Sequence, residues 1–347
     1  MFARLKDALF ESPNPMAWRD VAMMIIAMVI PAIVAVSFLG RTGAVAFVAA
    51  MPACLAAQDA GLRVSLLVTL VMGMAGMLSL GSPEMAILVA PFLGLMVGIC
   101  GTFGLAKPAI RGLLTWPIFT SNILDGSNLP LMFAVFLLAM AWAQGITWAF
   151  GKSASNPRED AESDRYAMVF GVALAVGMSA SVWVGQRYFG NHGFWFPLTF
   201  VILVLPPHGQ LFLRTIKRTV GTVLGTAIAI ALAWMTEATW VMIALGAVCL
   251  TLGFRMLPYN YTVFTTLLTV AVLEVLALVS EVDQLALERV GTMAAAAGMT
   301  IALGLVGYLI LRLFAPGAIE ALMEKGDDAP LQGQRSKDSR ASASRAG

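Results

Sequence analysis

Apolar runs separated by short polar breaks follow one another from residue 19 to residue 314, and few folds tolerate that pattern. They lie roughly at 19–39, 43–57, 62–80, 85–105, 108–124, 130–150, 166–187, 193–207, 214–235, 239–256, 260–280 and 286–314. Lipid cannot satisfy loose backbone groups, so each run is expected to be a helix. The chain is 59% hydrophobic and 12% charged with a mean hydropathy of +0.83, more apolar surface than a soluble domain can hide. The expectation is an all-α, polytopic membrane protein of about twelve transmembrane helices. Three runs are short. The run 193–207 would rise only about 22 Å, so it must be broken, re-entrant or sheltered by neighbours. The first run is too long for a signal h-region and lacks a convincing cleavage site, so it reads as a retained span.

The cations set an orientation. With the N-terminus inside, Arg4, Lys6, Arg19, Arg63, Lys107, Arg111, Lys152, Arg158, Arg165, Arg214, Lys217, Arg218 and Arg255 fall on the cytoplasmic side. The opposite side has Arg41, Arg187 and Arg289 among Glu84, Asp125, Glu237, Glu281, Asp283 and Glu288. This asymmetry predicts an even number of spans with both termini cytoplasmic.

The chain also repeats itself. Gly40-Arg41-Thr42-Gly43 aligns with Gly190-Asn191-His192-Gly193, Gln58 with His208, and Arg63 with Arg214. Gly73 and Gly76 stand against Gly221 and Gly225. Two six-helix parallel repeats follow as the expected layout. Residues 1–18 read as an interfacial cytoplasmic lead, 19–150 as the first repeat and 151–165 as a polar linker. Residues 166–314 form the second repeat, and 315–347 read as a disordered cytoplasmic tail.

Several classes of chemistry find no seat. Gly145 to Ser153 ends in Gly-Lys-Ser, but its spacing is wrong for a phosphate loop and it closes an apolar helix. Cys54, Cys100 and Cys249 sit singly in apolar segments, with neither a metal-ligand cluster nor a nucleophile beside a base. No enzyme chemistry, metal or cofactor is expected, and a net charge of +2 gives no reason to expect nucleic acid.

Scarce polar chemistry gathers between Asn191 and Gly225, which holds both histidines of the chain. His192 and His208 bracket the short eighth run, as proton carriers or as loop residues bonded to backbone. Arg214, Lys217 and Arg218 share a helix face, suited to attracting an anion or to anchoring the helix end. Gly221 and Gly225 are four apart and permit a close helix neighbour. Phe194 and Trp195 are interface-belt aromatics or a stacking surface for an aromatic ligand. Arg187 and Arg289 sit where positive charge is rare, to pass an anion outward or to pair with Glu288 or Asp283. Glu274 lies inside a predicted span, which makes it a proton carrier, a partner for an arginine, or a sign that the span is drawn too long. Thr262, Thr265, Thr266 and Thr269 stripe the same helix roughly 130° from it, so the two features need not line one cavity.

His192-Gly193-Phe194-Trp195-Phe196-Pro197-Leu198-Thr199 resembles the second span of the fusaric-acid-resistance (FUSC-type) exporters. Arg218-Thr219-Val220-Gly221-Thr222-Val223-Leu224-Gly225 is similar to their arginine-led Gly-Thr signature on the next span. Arg289-Val290-Gly291-Thr292 is similar to the start of their last span, with Gly291 where the family has an acidic residue. The resemblance covers about residues 165–312 and includes aromatic acid exporters. It implies a multi-pass transporter of small organic or aromatic acids in a bacterial inner membrane, often paired with a periplasmic membrane-fusion adaptor protein. The expected function is proton-driven efflux of such anions. In it Arg214, Arg218, Arg289, Arg187, Trp195 and Phe194 contact substrate, and Glu274, His192 or His208 carries protons. A passive anion channel and a membrane subunit that only scaffolds an adaptor are the alternatives, and a homo-oligomer is compatible with each.

Overall fold

The computed structural model describes residues 14–121, 123–124, 126–154, 164–205, 211–235, 238–276 and 282–314. The expected interfacial lead, most of the linker, the tail and His208 therefore lie outside the described residues, apart from the lead's last residues and the linker's ends. In chain order the helices are α1 Trp18–Met24, continued through a π-helical turn Ile25–Val29 into α2 Ile30–Leu39, then α3 Val45–Ser79. They continue with α4 Pro83–Thr102, α5 Ala106–Leu113, α6 Leu129–Ala149 and α7 Asp164–Tyr188. The last five are α8 Trp195–Leu203, α9 Leu211–Met235, α10 Thr239–Met256, α11 Tyr261–Leu276 and α12 Val282–Phe314. No strand occurs among the described residues.

Seven stretches among the described residues are long and apolar enough to cross a membrane, so this is a multi-pass membrane protein. The first of them, Trp18–Ser79, spans 62 residues yet is not one rod. A 3-10 turn at Gly40–Ala44 separates α2 from α3, and Gly61 interrupts α3 with φ 79 and ψ 174. The chain doubles back there: the Ser65 hydroxyl donates to the Ala53 carbonyl at 2.7 Å, twelve positions earlier. A straight helix would hold those residues about 18 Å apart. A positive φ of this kind is cheap only for glycine, so Gly61 makes the hairpin possible.

One end of the molecule is tied by ions. At the Gly61 turn Asp59 meets Lys107 at 3.3 Å and Arg111 at 2.7 Å, both on α5. Lys152 reaches Asp20 at 2.9 Å, while the Ala154 amide donates to the Ala57 carbonyl. The start of α1, the Gly61 turn, the start of α5 and the end of α6 are thereby drawn together. All of these were expected on one side.

Across the middle, α4 crosses α7 with backbone against backbone. A Cβ at Gly94 would lie 2.4 Å from the Ala175 nitrogen, and one at Gly98 would lie 2.6 Å from the Gly171 Cα. Small residues let dispersion act between the helix backbones themselves, as membrane helices require. A second contact joins the halves where α10 meets the start of α1. There the Met16 amide donates to the Arg255 carbonyl, and the Arg255 guanidinium sits 4.2 Å from the Trp18 ring centre.

Polarity is inverted relative to a soluble protein. Phe38, Phe92, Leu138, Trp234 and Trp240 are exposed, whereas threonines, Arg218 and Arg289 are buried. The run expected at 193–207 contains α8, a helix of nine residues that rises only about 14 Å. Seven of those nine are buried, against α7, α9 and α12. The run expected at 108–124 is likewise interrupted, as α5 followed by a 3-10 turn Trp116–Thr120. Both pack against neighbouring helices, which shelters elements too short to span lipid.

The glycines aligned between the two halves do different jobs. Gly73 accommodates the Phe136 ring of α6 and Gly76 the Phe119 ring, whereas Gly221 and Gly225 admit the α11 backbone.

Candidate functional site

The site is built on α9. Thr215, Arg218, Thr222, Thr226 and Ala229 recur every three or four residues along its buried side. Gly221 and Gly225 occupy the adjoining stripe against α11. A Cβ at Gly221 would lie 2.7 Å from both the Thr262 carbonyl oxygen and the Thr265 Cβ. One at Gly225 would lie 2.6 Å from the Thr266 carbonyl oxygen. The glycines thus bring α9 and α11 close enough for the Arg218 Nη1 to donate to the Tyr261 hydroxyl at 3.2 Å.

Helix α12 supplies the second cation. The Leu211 Cδ2 lies 3.6 Å from the Cβ position of Gly304, which fixes the register of α9 against α12. Counting about 22 Å from that contact along each helix brings Arg289 level with Thr226. The Arg289 Nη1 donates to the Thr199 hydroxyl of α8 at 3.4 Å, and its guanidinium lies 5.1 Å from the Trp195 ring centre. Arg218 is near enough for its charge to act on Arg289.

Both guanidiniums are buried, Arg218 at 1% exposure and Arg289 at 5%. Among the described residues neither meets a carboxylate. The Nε of each, and the hydroxyls of Thr222 and Thr226, are buried without a partner among the described residues. Two uncompensated cations in a desolvated interior are costly. Chemically, the arrangement offers two forked donors, two free hydroxyls and an aromatic wall to an anion.

An ion pair lies next to Trp195. His192 Nδ1 stands 2.6 Å from the Glu288 carboxylate, and the imidazole centre is 5.3 Å from the Trp195 ring centre. The Trp195 ring is thus close to both His192 and Arg289. Of the two acids considered for Arg289, Glu288 pairs with His192 instead, and the Asp283 side chain lies outside the described residues.

The remaining candidates are dispersed. Phe194 is buried beside Trp195, with ring centres 5.9 Å apart. Arg214 donates to the Leu205 carbonyl just beyond α8, so it also anchors the chain where that helix ends. Arg187 is exposed at the end of α7, away from the buried pair. Glu274 is buried on the α11 side that faces α10, towards Cys249. That side also presents Phe264 and Leu267 to Gly253, whereas Thr265 and Thr269 face α9. Glu274 therefore does not join the arginines, as its angle from the threonine stripe suggested.

Thr199, Thr222, Thr226 and Tyr261 were not singled out by sequence reasoning as site residues. The i, i+4, i+8 spacing of Arg218, Thr222 and Thr226 was the available signal.

No curated protein and no solved structure matches the chain. A family model does match, over residues 172–303, and its description is Fusaric acid resistance protein-like. Arg218, Arg289, Trp195, Thr199, Thr222, Thr226 and Tyr261 all fall inside that segment. The family expected from the motifs is thus the one whose model matches, over residues 172–303.

Proposed function

We propose that this protein exports small organic acid anions, aromatic ones foremost, across a bacterial inner membrane. The observation that carries the reading is the pair of buried guanidiniums, Arg218 and Arg289, which meet no carboxylate among the described residues and are flanked by Thr222, Thr226 and Trp195. In the twelve-span, two-repeat topology with cytoplasmic termini, Arg214 and Lys217 mark the inner mouth. An anion drawn there passes to Arg218, then along the Thr222 and Thr226 hydroxyls to Arg289, and leaves past Trp195 and His192. Binding of the anion offsets the desolvation of the two cations, and the Trp195 and Phe194 rings favour a flat aromatic body. Protons are carried by Glu274 or His192, and a periplasmic adaptor receives the product.

A passive channel is the second reading. It is favoured by the separation of Glu274 from the arginine pair, since among the described residues no carboxylate pairs with either arginine to couple the anion to protons.

Everted vesicles test both readings. Export becomes uptake of a labelled aromatic acid, lost with uncoupler if protons drive it and retained if a channel conducts. Equal uptake with and without the protein would contradict both.

A further inference from the structure

The charge balance of the site says more about its ligand than that it is an anion. Arg218 and Arg289 bring two positive charges into the protein interior, and each is nine-tenths buried or more. Among the described residues their protein contacts are neutral: the Tyr261 hydroxyl for Arg218, and the Thr199 hydroxyl and Trp195 ring for Arg289. The nearby acids are committed elsewhere. Glu288 pairs with His192 at 2.6 Å and Glu274 faces Cys249 on α10. A monoanion would neutralise one guanidinium and leave the other buried and uncompensated, which remains costly. The unused donors are also divided between the two ends: Nε and the Thr222 hydroxyl at or next to Arg218, and Nε and the Thr226 hydroxyl at the level of Arg289. Arg218 and Thr226 are two helical turns apart, about 12 Å along α9. The long side chains of the arginines shorten that gap enough for one charge to act on the other.

We infer that the preferred ligand carries two anionic groups, an aromatic or similarly flat dianion bridging Arg218 and Arg289. This rests on the anion-transport reading above and narrows its substrate class. Each end of the ligand takes one guanidinium fork, since planar carboxylates match that geometry. Its body lies along the Thr222 and Thr226 hydroxyls with Trp195 beside the outer end. The dianion leaves the interior neutral, while a monoanion does not.

Isothermal titration of the full chain in lipid nanodiscs tests this with isophthalate and benzoate at pH 7.5, where every carboxyl is ionised. Isophthalate is expected to bind at least about tenfold more tightly than benzoate, with one molecule per chain. Arg218→Gln and Arg289→Gln should each reduce that preference to below about threefold, because one counter-charge is gone. Arg289→Lys, which keeps charge but loses the fork, should retain part of it. Benzoate binding as tightly as isophthalate, or two benzoates per chain, would overturn the dianion while leaving anion transport standing. If neither acid binds and vesicles carry neither, the transport reading falls with it. Should the glutamine variants not fold, the ratio and stoichiometry of the unaltered protein still decide.

Discussion

Arg218 and Arg289 are the residues on which most of the chemistry depends, and they are unusual because removing them need not harm the fold. A buried cation without a counter-charge opposes folding, so Arg218→Gln and Arg289→Gln should keep or raise the melting temperature while reducing acid transport at least about tenfold. A fall of both quantities together, measured by thermal unfolding and vesicle uptake, would make the arginines structural. Glu274 answers a different question. If it carries protons, Glu274→Gln should abolish the uncoupler sensitivity of uptake, whereas unchanged sensitivity removes it from the mechanism. The His192–Glu288 contact is less than a fifth exposed on either side, so His192→Phe should cost on the order of 1 kcal/mol. Much of this was readable in the chain. Arg289 stood out as a cation on the side where cations are rare, and Glu274 was already separated from the threonine stripe by helical angle. The pairing of Glu288 with His192 was not readable, because it joins residues 96 positions apart through a turn that no periodicity reveals.

At the level of helices, small residues decide which pairs meet. Gly221 and Gly225 let α9 lie on α11, and that approach places Arg218 beside Tyr261. Gly221→Leu should therefore lose both folded yield and transport, since its side chain would meet the Thr262 carbonyl and Thr265. Gly145→Ala, which points where nothing lies within 4 Å, should be tolerated; size-exclusion profiles of the two variants make the comparison. The sequence made the apolar runs visible and even marked 193–207 as too short. Its nine-residue helix was not visible, because apolar composition alone does not distinguish a span that faces lipid from one enclosed by protein. The Gly61 hairpin shows the opposite case. Two runs were separable at the polar residues around Gln58 and Arg63, and the structure has two helical segments there, folded back on each other at Gly61.

For the molecule as a whole, the two ends of the contact between halves are unequal. The α4–α7 crossing is backbone to backbone, and the α1–α10 contact rests on a few groups around Arg255. Gly98→Leu should separate the halves and destabilise the whole chain, whereas Arg255→Gln should alter transport rate more than melting temperature if the α1–α10 side opens during the cycle. The family is legible in residues 172–303, where the arginine-led motifs and the buried site coincide; residues before 172 lie outside that match. In the proposed function, two buried guanidiniums carry an organic anion through the second half. The most direct measurement is uptake of a labelled aromatic acid by everted vesicles holding the unaltered protein or the Arg218→Gln, Arg289→Gln double variant at matched amounts. The double variant, folded and present in the membrane, should take up no more acid than empty vesicles; uptake at the rate of the unaltered protein would show that the arginines do not carry the anion.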